Sequence, residues 1–346
     1  MSQLILPFAQ ATQNPRDRFD FDGAVAEAYG MFPHLRQKLY FYDLGTARWV
    51  HPDASAHLAL QKKFEAAPAL QAYLQTSIDK FTESKNSCAL GRSDGDMNFI
   101  LLYTSPDKPR MLGPNSALAE DIQFVFDHEL GHIVSPNGRR DVTSMTRHEC
   151  VADVYSALRH YQRYGLESDA IERLMLVRAQ RLVTLYGKRN IEHFTGDALE
   201  KLLEEKDSLK IIGLSGAETA ALAGKLGTAY TPEDMHVIDL SIAFDSFQTG
   251  MERDRTEKPL RDLAQQLLLT ADPPAFKWGA KVLLSYMDGT VGVMKTEDKI
   301  VLNDPPPLLE GPYWQEVKAK LRERLEAENP ARAAGKAKPA ASILRI

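Results

Sequence analysis

Apolar residues recur at helical spacing through the middle of the chain. Leu118, Ile122, Val125, Phe126, Leu130 and Ile133 fall three or four positions apart, which lines one face of a helix, and Pro136-Asn137-Gly138 supplies the stop. A second helix is predicted over residues 143–164. It ends at Gly165, with Arg159, His160 and Arg163 in its last turn, where cations suit the helix dipole. Residues 24–31 and 54–81 also carry helical patterns, the second interrupted at Pro68. Further helices are predicted near 168–186, 197–206, 216–226, 232–248 and 258–270. Strand signals are fewer. Leu39-Tyr40-Phe41-Tyr42 is aromatic and short, and the apolar run at 98–104 is bounded by turn residues. Residues 282–294 resemble a hairpin around Asp288-Gly289.

These patterns predict an α+β protein, predominantly helical, with a small sheet assembled upstream of the helix at 116–135. Residues 1–20 read as a loose lead-in. Residues 21–270 form the main domain, which holds the helices at 116–135 and 143–165. A hairpin-plus-helix extension follows over 271–329, with Pro305-Pro306-Pro307 as a linker and a charged helix over 313–328. The Ala-, Pro- and Lys-rich tail at 330–346 has the composition of a disordered segment.

Composition narrows the function classes. Hydrophobic residues make up 44% of the 346 positions and charged residues 26%, values that support a packed core. The net charge of −5 gives no electrostatic footprint for nucleic acid or for an anionic membrane. Cys88 and Cys150 are too few for a disulfide framework or a four-thiolate zinc site, and reduced, buried thiols are expected. The apolar run Leu4-Ile5-Leu6 meets Pro7 with no basic residue ahead of it, so no secretory signal is expected, nor any transmembrane helix. Cytoplasmic synthesis is the default. The basic tail, with Arg332, Lys336, Lys338 and Arg345, leaves open delivery by a specialised secretion machine.

The chemistry concentrates in Asp127-His128-Glu129-Leu130-Gly131-His132. His128 and His132 stand four residues apart, just over one helical turn, and so project from the same face, where two imidazoles can hold two corners of one tetrahedral zinc. Glu129 follows the first of them and is placed to act on a water rather than to bind the ion. Gly131 has no side chain, so another segment or a substrate can approach closely there. The bland alternative is a buried helix whose histidines are satisfied by hydrogen bonds. Two such rings on one apolar face are costly to bury without partners, which favours the metal.

A third protein ligand is needed if one position is to stay open for water. Seventeen residues after His132 comes Glu149, in Arg147-His148-Glu149-Cys150-Val151-Ala152-Asp153, where Glu149 and Asp153 share a helix face and Ala152 keeps that face narrow. Glu149 has two readings. It is either the third ligand, or the N3 residue of a capping box begun by Thr146. His148 is the next candidate ligand but lies about 100° around the helix from Glu149. A third histidine at metzincin spacing is absent.

This pair of motifs resembles the gluzincin metallopeptidases, the group typified by thermolysin, over about residues 118–160. The resemblance implies a zincin-like catalytic core and one zinc per chain. His128, His132 and Glu149 would be ligands, Glu129 the base, and Asp153 the carboxylate that hydrogen-bonds the first ligand histidine. An oxyanion would need a further donor. His193, in Glu192-His193-Phe194-Thr195, is the first candidate, with His236, Tyr155 and Tyr230 behind it. By analogy with the family, the run at 98–104 is the sheet edge on which a peptide would lie as an added strand.

The expected function is therefore hydrolysis of peptide bonds in a restricted protein or peptide substrate, with no nucleic-acid or membrane partner and an oligomeric state that nothing in the sequence specifies. The rival class is a zinc-binding interaction or regulatory protein without turnover. A metal-dependent hydrolase of non-peptide amides is a third reading.

Overall fold

Alternation along short strands divides the sheet between two cores. The computed structural model describes residues 19–234 apart from 93–96, 109, 114–115, 140–143, 145 and 185–190, together with 237 and 343–345. Strands β1 (Leu39–Asp43), β2 (Arg48–Val50), β3 (Cys88–Arg92) and β4 (Asn98–Leu102) lie in the order β2-β1-β4-β3. β2 and β3 are antiparallel to β1 and β4 respectively, whereas β1 and β4 run parallel, with Leu39 opposite Asn98 and Asp43 opposite Leu102. A parallel pair needs a long crossover. Helices α2 (Ala54–Ala66) and α3 (Pro68–Ser84) lie within it, separated at the proline as the sequence predicts.

Leu39, Phe41, Ala89, Ile100 and Leu102 point into the main core, beneath helix α1 (Phe21–Met31) and the helices that follow. Tyr40, Cys88, Leu90, Phe99 and Leu101 point the other way, against Leu60, Leu70, Leu74 and Phe81 of α2 and α3. Both faces of the sheet are thus covered, which is why β4 reads as a continuous apolar run rather than an alternating one.

Two positions differ from the expectation. β4 lies between β1 and β3, so residues 98–104 are not a sheet edge, and the burial of both its faces explains the run that resembled one. Outside β3 a fifth strand, β5 (Ile343–Arg345), pairs antiparallel, with Leu90 opposite residue 345. These three residues belong to the basic tail.

The helical part contains α4 (Leu118–Val134), α5 (Arg147–Tyr164), α6 (Ala170–Thr184), α7 (Gly196–Glu205) and α8 (Gly216–Ala229). Together with the sheet they make the protein predominantly helical α+β. α5 starts at Arg147 rather than near 143, and it is the central helix: every residue from His148 through Tyr161 is buried. Two glycines permit that packing. A Cβ on Gly131 of α4 would lie 2.9 Å from Tyr155 Cβ and 3.2 Å from Ala152 Cα, and one on Gly227 of α8 would lie 2.6 Å from Val151 Cα.

A helix buried on all sides that carries charges must find partners for them. Arg159 and Arg163, at the end of α5, do more than complement its dipole. Arg163 pairs with the buried Asp127 and, at 2.8 Å, with Glu27 of α1, and Arg159 also pairs with Glu27. His160 Nε2 lies 2.7 Å from Ser168 Oγ. Among the described residues no helix is long and apolar enough to cross a membrane. The predicted elements at 258–270, 282–294 and 313–328, and nearly all of 232–248, lie outside the described residues.

Candidate metal centre

α4 and α5 touch at Gly131, one position before His132 and within a turn of Glu149 and Asp153, so their closest approach places the two motifs face to face. Ligating atoms of His128, His132 and Glu149 all lie within 4.8 Å of one another, and all three residues are buried. Glu149 Oε2 is 3.3 Å from His128 Nε2 and 3.9 Å from His132 Nε2. His132 Nδ1 lies 2.8 Å from the Gly138 carbonyl, which accepts its hydrogen and leaves the Nε2 lone pair free to face the carboxylate.

These separations suit a shared cation. Ligands held about 2.0–2.1 Å from a tetrahedral zinc stand roughly 3.3–3.4 Å apart. Glu149 Oε2 is buried and makes no well-directed hydrogen bond, although three ring nitrogens surround it. An orphaned buried carboxylate oxygen beside two imidazoles is a donor set that could hold a metal ion. The capping-box alternative is not adopted, because Thr146 makes no side-chain cap bond; the Ser144 hydroxyl accepts from the amides of Thr146 and Arg147 instead.

Behind the ligands lies a second set of contacts. Asp153 Oδ1 is 2.8 Å from His128 Nδ1. The same carboxylate accepts from Arg178 Nη2 at 2.7 Å and Nε at 3.2 Å, and from Thr195 Oγ1 at 2.7 Å. Burial alone would raise the Asp153 pKa, but Arg178 and His128 outweigh it and hold the group far below the usual carboxylate range. Burial also works against a charged His128, yet Asp153 and Glu149 carry its pKa up to about 10. The same two carboxylates give the ring a negative surrounding. His132 is pushed down to about 3, chiefly by burial, and so stays a neutral imidazole.

Glu129 lies between the two histidines on α4 and is 7% exposed, and the Arg178 guanidinium feels both its charge and that of Glu149. His193 closes the other side, with Nδ1 3.1 Å from Glu149 Oε2 and its side chain 30% exposed. It sits in a short 3-10 turn at Ile191–His193. Of the other oxyanion candidates, Tyr155 is fully buried against Gly131, and the charges nearest its hydroxyl are Asp127, Arg159 and Arg163. Tyr230 caps α8 beside Lys201, and His236 is outside the described residues.

Three residues around the centre escaped the sequence reading of roles, and a fourth, His148, entered it only as the next candidate ligand. Arg178 carried a signal, since it stands one turn after Leu174 on the buried face of α6, where a guanidinium requires a carboxylate. Thr195 and Glu192 flank His193. His148, set aside for its angle around the helix, has Nε2 3.4 Å from Glu149 Oε1 and 3.7 Å from Glu192 Oε2. Burial opposes its charge, but the two carboxylates raise its pKa to about 9. No protein-family model matches the chain, and neither does any curated protein or solved structure.

Proposed function

We propose that this chain is a zinc-dependent metallopeptidase of gluzincin type with a zincin-like core, hydrolysing peptide bonds in a restricted protein or peptide substrate. The observation that carries the reading is the convergence of His128 Nε2 and His132 Nε2 on the orphaned Oε2 of Glu149, with Glu129 one position after His128 on the same helix.

His128, His132 and Glu149 would hold one zinc per chain. The ion supplies a Lewis acid that polarises a scissile carbonyl and acidifies water. Asp153 fixes the tautomer and aim of His128, and the Arg178–Thr195 clamp fixes Asp153. Glu129 accepts the proton of the attacking water and returns it to the leaving amine. His193, partly exposed beside Glu149, donates a hydrogen bond to the carbonyl oxygen as charge develops on it.

The test combines metal analysis with a peptide-library cleavage assay on wild type, Glu129→Gln and Glu149→Ala. Wild type should carry zinc and cut. Glu129→Gln should keep the zinc and lose roughly 10²–10⁴ in turnover, while Glu149→Ala should lose zinc. A zinc-loaded wild type that cuts no library, with Glu129→Gln indistinguishable from it, would instead assign the chain to zinc-dependent binding. A wild type that takes up no zinc would overturn the metal centre.

A further inference from the structure

The two oxygens of Glu149 face different surroundings. Oε2 looks toward His128 and His132. Oε1 looks toward His148, whose Nε2 is 3.4 Å away and lies in turn 3.7 Å from Glu192 Oε2. Ligating atoms of His148, Glu149 and Glu192 all lie within 4.8 Å of one another, as do those of the first group.

We propose that Glu149 bridges two metal positions, and that His148, Glu149 Oε1 and Glu192 form a second site for a divalent transition-metal ion beside the first. This rests on the metallopeptidase reading only in that Glu149 is common to both sites.

Three features support it. The separations of 3.4 and 3.7 Å are long for hydrogen bonds but close to the roughly 3.4 Å expected between ligands of one tetrahedral ion. The donor set of one imidazole and two carboxylates suits zinc or manganese. The third feature is placement. His148 is 2% exposed and its Nδ1 has no hydrogen-bond partner, while the Glu192 side chain is 30% exposed. The Glu192 carboxylate is therefore partly reachable from solvent. Paired ions sharing a carboxylate can clamp both oxygens of a reacting group, which is the chemistry a second ion would supply here.

The competing arrangement is a protonated His148 held between two carboxylates, with no second ion. Stoichiometry separates the two. The full chain is stripped with chelator and titrated with zinc alone, by calorimetry and by elemental analysis after desalting. The proposal expects two equivalents in wild type and one in both His148→Ala and Glu192→Gln. Glu192→Gln is the conservative variant, since its partly exposed side chain keeps its shape and puts folding at little risk. Circular dichroism on each variant checks the fold, and His148→Gln replaces His148→Ala if the latter unfolds.

Cobalt substitution supplies a second reading: the wild-type visible spectrum should build in two phases, and that of Glu192→Gln in one. One equivalent in wild type, unchanged in both variants, overturns the second site and leaves the first intact. No equivalent in wild type overturns the first site as well.

Discussion

Gly131→Ala tests whether the contact between α4 and α5 assembles the centre. A Cβ built there meets Tyr155 Cβ at 2.9 Å, Tyr155 Cδ1 at 3.1 Å and Ala152 Cα at 3.2 Å. Carbon atoms in contact prefer about 3.5–4.0 Å, so the two helices must part by roughly 0.5 Å or more. Tyr155 cannot swing aside because it is fully buried, and the Ala152 atom is backbone. Overpacking of this kind costs about 1–3 kcal/mol. Replacing a mid-helix glycine with alanine returns about 1 kcal/mol of helix propensity. The net loss of stability should then be only about 0–2 kcal/mol.

The effect on metal should be larger in proportion. The parting opens the gap between His128 Nε2 and Glu149 Oε2, now 3.3 Å, and zinc tolerates only about 0.2 Å in its ligand distances. Zinc affinity, measured by competition with a fluorescent chelator, should fall at least about tenfold, or roughly 1.4 kcal/mol. Thermal melting of the metal-stripped protein reads stability separately. A variant that melts higher than wild type and binds zinc within twofold of it would refute the reasoning, since the helices would then not be in the contact described.

Other expectations follow from individual contacts. Arg178→Met leaves the buried Asp153 without its guanidinium; urea denaturation should show a loss of about 3–5 kcal/mol, and zinc affinity should drop roughly 10–100-fold. The double variant Arg178→Met/Asp153→Asn should recover part of the stability but not the affinity. His160 is 3% exposed, and burial reinforced by Arg173 and Arg163 pushes its pKa down to about 4 from 6.5. Between those values the unfolded chain binds a proton that the folded chain does not, so stability falls as pH drops from about 6.5 toward 4. Between pH 7 and 4.5 the wild type should lose about 2–3 kcal/mol more than His160→Gln, and equal slopes in urea titrations would refute this. Phe41 is fully buried and stacks 5.4 Å from Phe126, one residue before Asp127 of α4. Phe41→Ala should cost about 3–5 kcal/mol on denaturation, and intact stability would show that the sheet does not support the helix that carries His128 and His132.

The helix that carries His128, Glu129 and His132 was legible because its apolar face, its stop and its ligand spacing all agree. The break at Pro68 and the strand at Leu39 were equally local signals. What stayed hidden depended on neighbours. A strand buried on both faces gives a continuous apolar run whether it is central or not, so Asn98–Leu102 could not be ordered in the sheet from its own residues. β3, Cys-Ala-Leu-Gly-Arg, is short and has no clean alternation, for the same reason. Arg178 stands on the buried face of its helix, which calls for a carboxylate, but nothing local names Asp153, 25 residues away, as that partner. His148 illustrates the limit of angular reasoning. Its Cβ leaves the helix away from that of Glu149, yet the glutamate's second oxygen reaches back toward it, and no count of degrees per residue anticipates a carboxylate with two faces.

The charges around the centre give a physical reason for its construction. Asp153, Glu149 and Glu129 are all buried, and the buried Arg178 guanidinium directs two hydrogen bonds at Asp153. Glu149 is surrounded by imidazoles instead. A buried carboxylate given histidine neighbours rather than an arginine keeps its charge available, because an imidazole can release its proton to solvent when a metal binds while a guanidinium cannot. Had Arg178 faced Glu149, the site would be a stable ion pair with no use for a cation. By anchoring Asp153, the arginine holds His128 from behind and leaves the front of the ring and the Glu149 carboxylate facing each other, where a metal could be held. The division of partners between two carboxylates one helical turn apart is what would distinguish a metal-binding centre from a buried salt bridge in this fold.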